Sequence, residues 1–326
     1  MADGPLWIDE REVARLLSLS EAIDVLADGY RAAAAGAAAS MRRAHLREGD
    51  AILHAVGGTI AGAGVAGTKT WLYTPGGAAP LLVIFSLQDG RALAVIEAFT
   101  LGQLRTAATT GLGTRLLARE DASSLALLGT GKQAFAQAQA VATVRPITEI
   151  RLAGRDPGRR AALAGRLRTQ LGVSVTETSE IDRAVDGAAI VTAITRAAEP
   201  ILGASAISPG THINAVGAIV PSRRELDEHA VARADTIVVD SLEQARDDAG
   251  ELRAAVEAGL IDWSGVRGLE AVVDQPTAAL RRPGDVSLFK ALGVGLSDVA
   301  LGVEVLHRAG DAGAGRALAA PALAHG

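Results

Sequence analysis

The chain has 326 residues, enough for two domains and a large core without covalent staples. It contains no cysteine, which removes disulfide and thiolate chemistry and any argument for an oxidising compartment, so a cytoplasmic setting is expected. A formal net charge of -5 with no long Lys/Arg run does not suit a nucleic-acid partner, and no stretch nears the ~18 unbroken apolar residues of a membrane span.

A first helix is predicted by "SLSEAIDVLADGYRAAAAG". Ser18 and Glu21 form a capping box, Ile23, Leu26 and Tyr30 keep helical spacing, and Gly36 ends the run. Short apolar runs separated by glycines follow, "AILHAV", "GVAGTKTWLY", "LLVIFSL" and "ALAVIEA", with "QDG" as a hairpin signal between the last two. They read as an antiparallel sheet. A second capping box, Thr100 with Gln103, opens "TLGQLRTAATTGLGTRLLAR", a helix reaching about Arg119, where Glu120 and Asp121 mark a boundary.

From Ser124 the texture changes. The runs "SLALLG", "EIRLAGR", "VSVTET", "AAIVTAIT", "THINAVG" and "DTIVVD" alternate with helical segments, the pattern of a parallel sheet with crossover helices. The segment "SLFKALGVGLSDVALGVEVLHRA" reads as one helix outside that series, expected to pack back on the first domain, and the Ala/Gly-rich tail is expected to fray.

The stretch "LALLGTGKQAFAQ" places Gly129, Thr130 and Gly131 at a strand-to-helix junction and completes G-x-G-x-x-G/A with Ala134. Gly129 permits the tight turn, Gly131 lets backbone N–H groups approach a pyrophosphate, and Ala134 leaves room for the helix against the strand. A tight structural turn is the plain alternative, but the position at the head of a βα series favours a dinucleotide. At the end of the next strand, Gly154-Arg155 offers a cation suited to a ribose 2'-phosphate, which favours NADPH with NADH possible. The alternative is that Asp156 caps the helix or takes the ribose hydroxyls.

Two cations stand where apolar residues are expected, and an arginine pair accompanies them. Arg105 shares a helix face with Leu101, Ala108, Thr109 and Leu112, Lys69 lies within the apolar strand "GVAGTKTWLY", and Arg42-Arg43 follow the first helix. Such a set can grip a carboxylate by charge-assisted bonds, with ordinary salt bridges as the alternative for each residue taken singly.

Four segments in order, "LRTAATTGLGTRLLAR", "GTGKQAFAQ", "INAVGAIVPSRRELDEHAVARADTIVVD" and "LFKALGVGLSD", resemble the ornithine cyclodeaminase/mu-crystallin family over nearly the whole chain. The resemblance implies an α/β fold in which a Rossmann domain, 120–291, is inserted into an α+β substrate-binding and dimerisation domain, 1–119 plus 292–326, forming a homodimer. It implies that Lys69 and Arg105 hold the substrate carboxylate as the catalytic pair, with Arg43 as a further ligand and Arg42 as the competing register. It places Gly129, Gly131, Gln133, Thr195 and Asp298 around the nucleotide, where the glycine turn and the next strand's end add Thr130, Ala134 and Arg155, and no metal is expected.

Two departures stand out. Cyclodeaminases carry an aspartate where this chain reads Gly217-Ala218-Ile219-Val220-Pro221, and Ile219 cannot move a proton. The mu-crystallin branch also lacks that aspartate, so a ketimine or imine reductase is expected. A cyclodeaminase-type lyase using bound NAD, an amino-acid dehydrogenase and a non-catalytic crystallin-like binding protein stand as alternatives. The second departure is Leu81, near where many members place a hydroxyl residue facing the nicotinamide.

Overall fold

The computed structural model describes residues 4–322. In chain order the elements are β1 (Leu6–Ile8), α1 (Glu10–Leu16), α2 (Leu19–Ala34), β2 (Ala38–Ser40), β3 (Ala44–Glu48), β4 (Ala51–Ile60), β5 (Val65–Tyr73), β6 (Leu81–Ser86), β7 (Ala92–Glu97) and α3 (Phe99–Leu117). The chain continues through β8 (Ser124–Leu128), α4 (Ala134–Val144), β9 (Glu149–Ala153), α5 (Pro157–Leu171), β10 (Ser174–Thr178), α6 (Ile181–Val185), β11 (Ile190–Ala193) and β12 (His212–Ala215). It closes with α7 (Glu228–Ala232), β13 (Thr236–Val239), α8 (Leu242–Asp248), α9 (Gly250–Glu257), β14 (Val266–Gly268), α10 (Thr277–Leu280), β15 (Ser287–Lys290), α11 (Gly295–Ala312) and β16 (Arg316–Ala317). Two compact units result, 1–108 with 294–326, and 109–293. The first crossing falls inside α3, ahead of the Glu120-Asp121 boundary read from the sequence.

The first unit is a mixed sheet in the order β16-β1-β7-β6-β5-β4-β2, with β3 also on β4. The expected hairpins are antiparallel, whereas β1 joins β7 in parallel. The Ser18 capping box forms at the start of α2 as read from the sequence. The capping role read for Thr100 belongs instead to Glu10. Its carboxylate accepts from the Phe99 and Thr100 N–H groups, both at 2.7 Å, so α3 begins one residue earlier.

The segment read as one helix from Ser287 is two elements. "SLFK" is the buried strand β15, and helix starts only at Gly295. That helix, α11, packs on β4, β5 and β6. The tail is ordered further than expected: Gly313 caps α11 in the left-handed region, and β16 pairs with β1.

The second unit holds a parallel sheet in the order β10-β9-β8-β11-β12-β15-β13-β14. Alternate residues of one strand enter different cores, Leu125 and Leu127 on one face and Ala126 and Leu128 on the other. Both faces are therefore covered, which is why these strands read as continuous apolar runs. The order reverses direction between β8 and β11, creating a crevice at the C-terminal strand ends where such folds take ligands.

A Cβ at Gly295 would lie 2.2 Å from the Gly57 backbone nitrogen, so only glycine lets the first turn of α11 rest on β4. Gly295→Ala is expected to lower the unfolding free energy by about 1–3 kcal/mol, the usual cost of overpacking, when measured by urea denaturation.

Candidate functional site

Strand β5 alternates its side chains between two faces. Position 67 faces α11, since a Cβ there would lie 3.2 Å from a Val299 methyl, and Lys69 follows on the same face. The Lys69 side chain is buried and its Nζ donates to Asp298 Oδ1 at 2.5 Å. Arg105 Nε from α3 donates to the same oxygen at 3.2 Å. Asp298 sits in the first turn of α11, where the helix dipole favours an anion.

Burial pulls the Lys69 ammonium down from 10.5 to about 8, with Asp298 opposing the drop and Arg105 and Arg43 adding to it. Burial pushes the Asp298 carboxyl up, but Arg105 and Lys69 outweigh it and hold the group below its ordinary range. At neutral pH all three are charged, and two cations share one carboxylate. Asp298 Oδ2 is also buried and has no hydrogen-bond partner, so the cluster retains an acceptor for an incoming N–H.

The same sheet face continues outward from Lys69. Trp71 follows two residues on, with the Lys69 ammonium 5.3 Å from its ring centroid. His54, paired with Trp71 across the strands, stacks on it at 4.7 Å. Burial, Arg43, His45 and Arg47 all lower the His54 pKa, so the imidazole is neutral at pH 7. Arg43 is half-buried and near enough to Lys69 to depress it, whereas Arg42 is exposed.

Leu81 pairs with Thr70, one step out of phase with the Lys69–Leu82 pair, and so occupies the opposite face of the sheet. Its departure from the family pattern therefore does not bear on the Lys69 face. That opposite face carries Leu46, Leu53 and Leu72 in register, 70%, 45% and 50% exposed.

In the second unit, Gly129 ends β8 with φ at 120°, a conformation that favours glycine. A Cβ there would also strike the Ile194 carbonyl oxygen at 2.6 Å. Gly131 has nothing within 4 Å of its Cβ direction, leaving backbone open for close approach. Helix α4 starts at the buried Ala134 with no side-chain cap, while the Gln133 Oε1 is buried without a partner. Thr130 packs under Gly154, where a Cβ would meet its methyl at 2.7 Å. This cradle of small residues, uncapped helix and unused polar atoms fits a nucleotide pyrophosphate.

Arg155 follows Gly154 and is exposed. Asp156 caps α5 by accepting from Arg159 N–H at 2.9 Å, so this acid serves the helix start. Thr195, just past β11, lies on the other side of the crevice, with its methyl 3.2 Å from the Cβ direction of Gly129. Asp298, expected at the nucleotide, belongs to the cationic cluster of the first unit.

Sequence reasoning passed over Trp71, His54 and Glu225. The spacing of Lys69 and Trp71, two residues apart on one strand, was a usable signal; His54 needed the cross-strand register. Glu225 was hidden in a charged run although it is fully buried.

A parallel sheet with a glycine turn at its reversal point is the Rossmann-type arrangement, in which such folds take a dinucleotide. The chain belongs to the ornithine cyclodeaminase/mu-crystallin family, whose pattern matches residues 8–312. It is 30% identical to a Delta(1)-pyrroline-2-carboxylate reductase of Bacillus cereus over 72% of each chain. Among solved structures it is similar to the iminosuccinate reductase of Paracoccus denitrificans in complex with NAD+, with TM-score 0.88, 29% identity, and 96% of this chain and 98% of that one covered. An archaeal alanine dehydrogenase dimer with bound NAD is similar to the same extent, with TM-score 0.88, 27% identity, and coverage of 96% and 98%.

Proposed function

We propose that the protein reduces imines bearing an α-carboxylate, using NADPH in preference to NADH. The observation that carries this reading is the buried Lys69–Asp298–Arg105 cluster, which gathers two cations on one carboxylate whose second oxygen is unused. A substrate carboxylate binds beside Lys69 and Arg105, with Arg43 as a further ligand. Asp298 Oδ2 matches the N–H of a protonated imine or product amine. Gly129, Thr130, Gly131, Gln133, Ala134 and Thr195 would hold the nucleotide, which when bound would supply the hydride that reduces the imine carbon. The nitrogen has by then taken its proton, so the C=N bond becomes CH–NH. The protein's part is to hold the carboxylate, stabilise the N–H and fix the carbon, and no strong base is required. Trp71 and His54 form the wall beside the carboxylate ligands and shape selection of the substrate side chain.

A lyase reading is weaker because water attack and ammonia release call for a proton-transfer group, and Ile219 supplies none. A purely structural protein gains nothing from a buried carboxylate oxygen left without a donor, as Asp298 Oδ2 is. The dehydrogenase reading shares the same half-sites and differs in whether ammonia or a larger amine forms the imine.

The exposed leucine row on the face opposite Lys69 is the surface through which we infer a homodimer, as the archaeal relative forms. Light scattering of the parent is expected to give twice the chain mass. Leu53→Arg, which places a charge at the centre of the row, is expected to give the monomer mass, and a monomeric parent overturns the assignment.

Activity is checked by following NADPH oxidation with a panel of cyclic imino acids and of 2-oxo acid/amine mixtures. Lys69→Ala and Arg105→Ala are each expected to lose on the order of 100-fold in kcat/KM, as for other substrate-positioning groups. The Lys69 ammonium is charged below about 8 and neutral above it, so kcat/KM holds at lower pH and falls as pH rises through that value. Lys69→Arg keeps its charge and moves the fall to higher pH. Conversion of ornithine to proline with catalytic nucleotide would instead establish the lyase.

Cofactor choice rests on Arg155. A guanidinium gains a charge-assisted bond only with a phosphorylated ribose, so Arg155→Ala is expected to weaken NADPH binding roughly 10-fold or more and leave NADH unchanged. Equal dissociation constants for the two nucleotides in the parent would show that Arg155 reads no phosphate.

A further inference from the structure

Glu225 is fully buried in the second unit, and its carboxylate accepts four hydrogen bonds. Oε1 takes the Thr195 N–H at 2.6 Å and the Thr195 hydroxyl at 2.8 Å. Oε2 takes the Gly217 N–H at 2.6 Å and the Ala218 N–H at 3.3 Å. Thr195 lies just past β11, and Gly217 and Ala218 just past β12, so one side chain ties together the C-terminal ends of two neighbouring strands. The approach is close enough that a Cβ at Gly217 would lie 2.2 Å from the Thr195 carbonyl oxygen and 2.5 Å from Glu225 Oε1.

A second group holds the loop from the other side. Lys290, at the end of β15 and fully buried, donates to the Ala218 carbonyl and, at 2.8 Å, to Glu251 Oε1. Ala218 is thus fixed at both its N–H and its carbonyl. Burial pushes the Glu225 carboxyl up, while Lys290 and the Thr195 and Gly217 donors pull against that rise. The carboxylate is worth keeping only where its donors fill it, as they do here.

The consequence reaches the nucleotide cradle through Thr195. Ile194 and Thr195 lie against the glycine turn, 2.6 and 3.2 Å from the Cβ direction of Gly129. The Thr195 hydroxyl gives its only proton to Glu225 and accepts from the Ala197 N–H at 3.1 Å. Toward a ligand in the crevice it can act only as an acceptor.

We propose that Glu225 is a positioning residue for the nicotinamide nucleotide: it fixes the strand-end loops at 194–197 and 216–218 and locks the Thr195 hydroxyl as an acceptor for a donor group on the nucleotide, a ribose hydroxyl or the carboxamide N–H. This rests on reading the crevice as the nucleotide site, and goes beyond it by naming the residue that sets the crevice wall and the polarity of its threonine.

The test uses the full-length protein and NADPH and NADH as probes. Glu225→Gln keeps shape but turns one accepting oxygen into a donor facing N–H groups, and Thr195→Val removes the hydroxyl while keeping volume. Each is expected to raise the dissociation constant of the tighter nucleotide about 10-fold or more, with the KM of the imine at saturating nucleotide within twofold of the parent. Because both act through one contact, the double variant is expected to lose no more than the larger single loss. Unchanged nucleotide affinity in Thr195→Val, or in a Glu225→Gln protein that merely melts earlier, overturns the proposal. Should Glu225→Gln fail to fold, Thr195→Val alone decides. A parent that binds neither nucleotide refutes the underlying reading of the crevice, an outcome distinct from parent-like binding in the variants.

Discussion

Two cations sharing one buried carboxylate is the constraint around which the first unit is arranged. Lys69 comes from a central strand, Arg105 from α3 and Asp298 from the first turn of α11, and each element is held by a device that serves this meeting. Gly295 lets α11 rest directly on β4, which brings Asp298 down to the sheet. Glu10 fixes the start of α3 and so the angle at which Arg105 leaves it.

The second unit uses charge differently. Glu225 takes the backbone N–H groups of Thr195, Gly217 and Ala218, and Lys290 joins the Ala218 carbonyl to Glu251. That arrangement shapes loops, because Ala218 is held at its N–H by one side chain and at its carbonyl by another.

Local patterns were readable in the sequence and long-range ones were not. The glycine turn at Gly129 and the parallel strands were legible because their chemistry is complete within about 30 residues. The Ser18 box was equally local. The strand at Ser287–Lys290 was misread as helix because four apolar-flanked residues carry no period that separates the two states. Lys69 and Arg105 stood out as cations on apolar faces, but nothing near them pointed to Asp298, whose place in the cluster depends on α11 docking. Glu10 as the cap of α3 and the parallel pairing of β1 with β7 were hidden for the same reason.

The interrupted order of the chain has a consequence for how the protein is made. Residues 109–293 are contiguous and can fold as soon as they leave the ribosome, but the first unit, though begun earlier, lacks α11 until the end. Lys69 and Asp298 are 229 residues apart, which at roughly 5–20 residues per second is a wait of roughly 10 to 50 seconds. Through that interval the N-terminal sheet shows the ribosome exit and its attendant chaperones an uncovered apolar face with an unneutralised lysine at its centre. Lys69 is, during synthesis, a charge that discourages that face from sticking to its own kind.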